Sequence, residues 1–184
     1  MRTHPALALS LAALLAACAS VPAPVPPVPA PADDDIPAAL RPANGERAVS
    51  VLLAKGVQVY ECRARKDAAG AAEWVFVAPE AELFDAAGRK VGKHFGGPRW
   101  ESLDGSRLVG KVAAKADAPD AGDIPWLLLR TESEGRAGAF SQVSLIQRVN
   151  TVGGVAPPAA GCSAAWIGRT ERVGYQADYR LLVR

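Results

Sequence analysis

The sequence predicts an all-β fold: a single-domain antiparallel β-sandwich or partly closed β-barrel of about 8–10 short strands, with little helix. Three observations predict it. Turn signals recur about every dozen residues. Between them, β-branched and aromatic residues alternate with polar ones. No segment carries a long 3.6-residue apolar stripe with helix caps. Periodicity leaves sandwich and barrel equally open.

Each element follows from its own letters. "ERAVSVLLAK" (46–55) reads either as a short helix sharing Val49, Leu52 and Leu53 on one face, or as an edge strand. "GVQVYECRA" (56–64) alternates Val57, Val59 and Glu61 with Gln58, Tyr60 and Cys62, the period of a strand. "EWVFVAP" (73–79) is β-branched and aromatic, and is expected to stop at Pro79. "AELFDAAGRKVGKHF" (81–95) has two apolar patches about Asp85-Ala86-Ala87-Gly88, with Gly88 in the left-handed position of a hairpin loop. "RWESLDGSRLVGKVAAK" (99–115) repeats that design around Asp104-Gly105. Strands are also expected over 124–132, 139–151 and 173–183.

Ahead of the domain stands "MRTHPALALSLAALLAAC". A basic start and an apolar run too short for a permanent span make residues 1–17 a signal peptide. Leu15-Ala16-Ala17-Cys18 resembles a bacterial lipobox, in which cleavage precedes the cysteine and its thiol takes a lipid. The alternative is an ordinary signal with an incidental cysteine. With Ala19 after Cys18, the lipoprotein resemblance implies a periplasm-facing outer-membrane protein, with the membrane as partner through the anchor on Cys18. Six of the fourteen residues from Ala19 to Ala32 are proline, so residues 18–42 form a lipidated, extended tether and residues 43–184 the β domain. Asp33-Asp34-Asp35 lacks the spaced ligands and turn glycine of a calcium loop and reads as a solvated charge run.

Removing residues 1–17 takes away Arg2 and no acid, leaving 20 basic and 19 acidic side chains. That balance gives no reason to expect a nucleic-acid partner. Cys62 and Cys162 remain as an even pair in an oxidising compartment, read as a disulfide, with two separate buried thiols as the alternative. One mature histidine, no CxxC and no HExxH give no metal site, and no cofactor is expected.

The chemistry-bearing letters concentrate in "HFGGPRWESLDGSRLVG" (94–110). His94 is read three ways: a structural histidine donating to a carbonyl near the bend, a ligand contact, or a base acting with Glu101, Asp104, Ser102 or Ser106. No GxSxG elbow supports the last. Among Trp74, Trp100, Trp126 and Trp166, Trp126 is expected in the core, and Trp100 is the candidate pocket aromatic. "RVNTVGGVAPP" (148–158) is either a long loop leading to Cys162 or a pocket rim carrying Arg148 and Asn150.

"VYECR" (59–63), "HFGGPRWESLDGS" (94–106), "IPWLLL" (124–129) and "IQRVNTVGGVAP" (146–157), followed by Cys162, resemble the family filed as domain of unknown function 3455, from about Ser50 to Val183. The resemblance implies an exported protein without an established activity. A malate dehydrogenase label carried by some fungal members finds no support: the chain has no GxGxxG and no βαβ alternation.

The leading functional expectation is a β domain that binds a small molecule, an envelope glycan or a protein partner through His94, Trp100, Glu101, Arg148 and Asn150. A hydrolase using His94 with an acidic residue, and a structural envelope protein without a ligand, are the alternatives.

Overall fold

The computed structural model describes residues 32–184. The expected signal peptide, Cys18 and the expected tether up to Pro31 lie outside the described residues.

Eight antiparallel strands follow one another in chain order: β1 (Arg47–Ala64), β2 (Ala72–Phe84), β3 (Lys90–Phe95), β4 (Arg99–Ser102), β5 (Ser106–Ala116), β6 (Trp126–Gly135), β7 (Leu145–Gly153) and β8 (Thr170–Val183). Each pairs with the next, and β8 pairs back onto β1, so the sheet closes as an up-and-down barrel. The choice left open by periodicity therefore falls to the barrel, and closure removes every free sheet edge except where strands differ in length.

They differ a great deal. β1 has 18 residues and β4 has four. The stretch 46–55 is strand rather than helix, because it is paired with β8 over nearly its whole length and points Leu52 and Ala54 inward. Pro79 does not end its strand. β2 pairs with β3 only from Ala81 onward, so at Pro79 it has a partner on one side alone, where a residue without N–H is tolerated.

The turns obey their letters. Gly88 and Gly105 both have positive φ. Asp85 Oδ1 accepts the amides of Ala87 and Arg89, and Asp104 Oδ1 accepts the amide and hydroxyl of Ser106.

The core has two layers. Inside the barrel, Leu52, Leu83, Leu108, Ile146 and Leu181 pack with Phe140 and Val143 from the β6–β7 connection, which closes that end. Asp104 Oδ2 accepts the amide of Ala139, and Ser106 Oγ accepts that of Phe140, pinning the connection to the β4–β5 turn. Outside, Trp126, Leu128, Val149 and Leu182 are covered by Ile36 and Leu40, which flank and end a 3-10 turn over Ala38–Leu40. Gln147 Nε2 donates to the Leu40 carbonyl at 2.8 Å. Trp126 is thus buried as expected, but on the outer face of the wall.

A disulfide joins Cys62 on β1 to Cys162 in the β7–β8 connection. It ties that connection to the barrel end opposite the Phe140 plug.

Candidate functional site

The β3–β4 hairpin is short and the strands beside it are long. β3 and β4 turn at Gly96–Pro98, whereas β2 reaches back to Ala72 and β5 runs on to Ala116. β4 pairs with β5 only through Glu101↔Arg107, Trp100↔Leu108 and Arg99↔Val109, and Pro98 O accepts the amide of Gly110. A notch therefore opens in the wall between the free lengths of β2 and β5. Phe76, Val77 and Val112 line it and are each about half exposed. Behind it lies a cavity of about 200 Å³ to which all eight strands contribute a side chain.

Register builds its back wall. His94 on β3 and Trp100 on β4 are direct cross-strand partners, and their rings stack at 4.4 Å with 16° between planes. Tyr179 of β8 meets both edge-on, at 5.0 Å and 5.5 Å. His94 Nδ1 lies 2.8 Å from the Arg99 carbonyl. A carbonyl only accepts, so Nδ1 carries the proton and Nε2 is a bare acceptor. Burial pushes the imidazole pKa down to about 3, so His94 is neutral at ordinary pH.

Gln58 on β1 and Arg148 on β7 complete the wall. The Gln58 side-chain nitrogen and the Trp100 indole nitrogen are buried with no hydrogen-bond partner. The Tyr175 and Tyr179 hydroxyls influence each other and Arg148 without reaching hydrogen-bond geometry. Burial pushes both phenols up, so they stay protonated. Arg148 donates from Nε and Nη2 to the Pro125 carbonyl, at 3.1 Å and 2.8 Å, and forms no ion pair among the described residues. Its positive charge reaches Tyr60, His94, Tyr175 and Tyr179, none of which carries a charge. The pocket wall thus carries a half-buried cation with no anion beside it, and buried donors that lack partners within the chain.

The five expected site residues separate. His94, Trp100 and Arg148 converge on the cavity. Glu101, next to Trp100 on β4, faces the other side of the sheet and pairs with Lys93 at 3.2 Å and Arg107 at 2.8 Å. Those cations hold its carboxyl below the usual range. Asn150, with φ 47°, occupies the β7 irregularity and donates to Asp178 Oδ2. Neither lines the cavity.

The base arrangement does not assemble. Asp104 and Ser106 bond to each other in their turn, and His94 Nδ1 is held by a carbonyl rather than a carboxylate. An imidazole with a pKa near 3 is also a weak base. Among the described residues, no group of three or more His, Cys, Asp or Glu is placed to hold a metal ion.

Gln58 and Tyr179 carry the pocket and were missed. Both were within reach of strand periodicity: Gln58 shares its face with Tyr60 and Cys62, and Tyr179 shares one with Tyr175, Ala177 and Leu181.

Residues 42–183 match the family model described as "Protein of unknown function (DUF3455)". No curated protein and no solved structure matches the chain.

Proposed function

The chain belongs to the DUF3455 family, and from its pocket we propose that it is a binding protein of the cell envelope that takes a small molecule into the barrel interior. The observation that carries this reading is the cavity of about 200 Å³ that opens through the wall, lined by the His94, Trp100 and Tyr179 rings and by Arg148. A concave, mostly apolar site with few polar groups is the usual form of a small-molecule pocket. A volume of about 200 Å³ suits a small molecule better than a glycan chain or a protein surface. The barrel is the binding device and His94 one wall of it; no catalytic step is assigned.

The envelope address rests on the sequence: a signal-like leader, the lipobox-like Leu15–Cys18 and a proline-rich tether. An anchored barrel would hold its ligand in the periplasm. Replacing Cys18 by serine should move the protein from the membrane to the soluble fraction, and a protein already soluble with Cys18 intact would remove the anchor.

The binding reading is tested by gently purifying the full chain from envelopes, denaturing it, and identifying released small molecules by mass spectrometry. A compound present with wild type and lost from a folded Trp100→Ala variant supports it. Equal small-molecule profiles from wild type and the variant would sink it.

A further inference from the structure

The pocket's imbalance has a sign, and it names a ligand class. Resting on the binding reading above, we infer that the ligand is a small carboxylic acid whose apolar body is about the size of one ring, with its carboxylate on the Arg148 side of the cavity.

Four observations converge on this class. The first is charge: Arg148 lines the cavity and has no carboxylate partner among the described residues. Two of its nitrogens are held by the Pro125 carbonyl, which fixes the guanidinium against the wall without neutralising it. An anion in the cavity would supply the missing charge.

The second is the hydrogen-bond inventory. Trp100 Nε1 can only donate, and it is buried without an acceptor. Gln58 adds a second unpaired donor. A carboxylate offers two acceptor oxygens with about four lone-pair sites, the match for a guanidinium fork. An ammonium offers no acceptor and meets Arg148 as a like charge. An ester or amide accepts more weakly and leaves the charge unbalanced.

The third is position within the pocket. His94 Nε2 presents a lone pair, which disfavours an anion against the imidazole and leaves the Arg148 side for the head group. The stacked His94 and Trp100 rings and the edge of Tyr179 then form an aromatic wall for the body. Leu127, Leu129 and Pro79 add apolar surface.

The fourth is size. An engineered apolar cavity of about 150 Å³ takes up benzene. About 200 Å³ therefore has room for one ring plus a small head group. The half-exposed Phe76, Val77 and Val112 at the notch supply an apolar entrance.

The test measures binding of benzoate, methyl benzoate, benzylamine and neutral benzene to the full chain by calorimetry at pH 7. Benzoate should bind at least tenfold more tightly than the ester, and benzylamine should show no binding. Arg148→Leu should abolish the preference for benzoate over the ester, and Arg148→Lys, which keeps the cation, should retain it. If Arg148→Leu fails to fold, Arg148→Lys together with Gln58→Leu replaces it, the latter expected to weaken benzoate at least fivefold with the Lys variant still selective. Ester or amine binding as tightly as benzoate would overturn the acid class and leave the binding pocket standing, as would benzene binding with no benzoate binding. Failure of all four compounds to bind would overturn the acid class and count against the pocket as well.

Discussion

His94 and Trp100 face each other across the β3–β4 hairpin as register partners, with ring centroids 4.4 Å apart. The contact is dictated by the turn. Gly96, Gly97 and Pro98 form a three-residue loop, so Phe95 pairs with Arg99 and His94 with Trp100. Gly97 takes φ 97°, which glycine tolerates without strain. The two rings are thereby stacked on the inner face, and the imidazole is nearly cut off from water.

That burial makes the fold sensitive to mild acid. Folded His94 titrates near 3, against about 6.5 when unfolded. Between those values the unfolded chain binds a proton that the folded chain does not. Stability is therefore complete above about pH 6.5 and is lost as pH falls below it, by about 1.4 kcal/mol per unit, or on the order of 2 kcal/mol by pH 5. Asp178, whose carboxyl burial raises, works in the opposite sense in the more acid part of the range. Urea unfolding at pH 7, 6 and 5 should show the slope in wild type and lose it in His94→Gln. A wild-type stability constant over this range would exclude a neutral buried His94.

Gly110 leaves the space that the Trp100 indole fills. A Cβ there would lie 2.7 Å from Trp100 Cζ3, 3.0 Å from Cη2 and 3.4 Å from Leu129 Cδ2. Gly110→Ala should push the indole from its stack and destabilise by about 1–3 kcal/mol, the usual cost of overpacking. Near-ultraviolet circular dichroism should lose tryptophan signal while the far-ultraviolet strand signal persists. Unchanged near-ultraviolet and thermal profiles would place Trp100 elsewhere.

The Cys62–Cys162 bond closes a separation of 100 residues. In the chain-entropy account, a loop of that length contributes about 4–5 kcal/mol. Reduction, or Cys62→Ser with Cys162→Ser, should lower the unfolding free energy by that order. Hydrogen exchange should quicken first in the β7–β8 connection, whose 3-10 turns over Ala159–Gly161 and Ala164–Trp166 have few buried anchors. Indifference of both readouts to reductant would argue against the bond.

Local chemistry was legible in the sequence; pairing between distant strands was not. Gly88, Gly105 and the Cys62–Cys162 pair follow from residue type and parity. Closure depends on β8 returning to β1, a contact between segments over a hundred residues apart that no local period reports. The site illustrates the same limit. Glu101 was grouped with His94 by nearness in the chain, but neighbours on a strand point to opposite faces, so Trp100 inward means Glu101 outward. Periodicity put Gln58 on one face with Tyr60 and Cys62, but only closure of the barrel makes that face the enclosed one. The half-exposed Val57 and Val59 lie outside, and Gln58, Tyr60 and Cys62 lie inside.

Leu40 tests how far the folded unit extends ahead of β1. Its side chain is fully buried beside Trp126, Leu128 and Leu182, and its carbonyl accepts from Gln147. Arg41 Nε donates back to the Ile36 carbonyl at 2.8 Å, which closes the turn that presents both apolar residues. Strands β6 to β8 are therefore covered on both faces, by the barrel interior and by this short segment. Leu40→Ala leaves a gap over Leu128 and Leu182 and should cost about 2–5 kcal/mol, the range for a buried leucine whose site cannot collapse. Leu103→Ala, at a residue 72% exposed, should cost almost nothing and serves as the control. Thermal unfolding of the two variants decides the matter. Equal midpoints would mean that residues 36–42 belong to the tether, with the barrel starting at β1; a large gap between them makes the segment a structural part of the barrel wall, because only a docked Leu40 can leave a cavity when it is shortened.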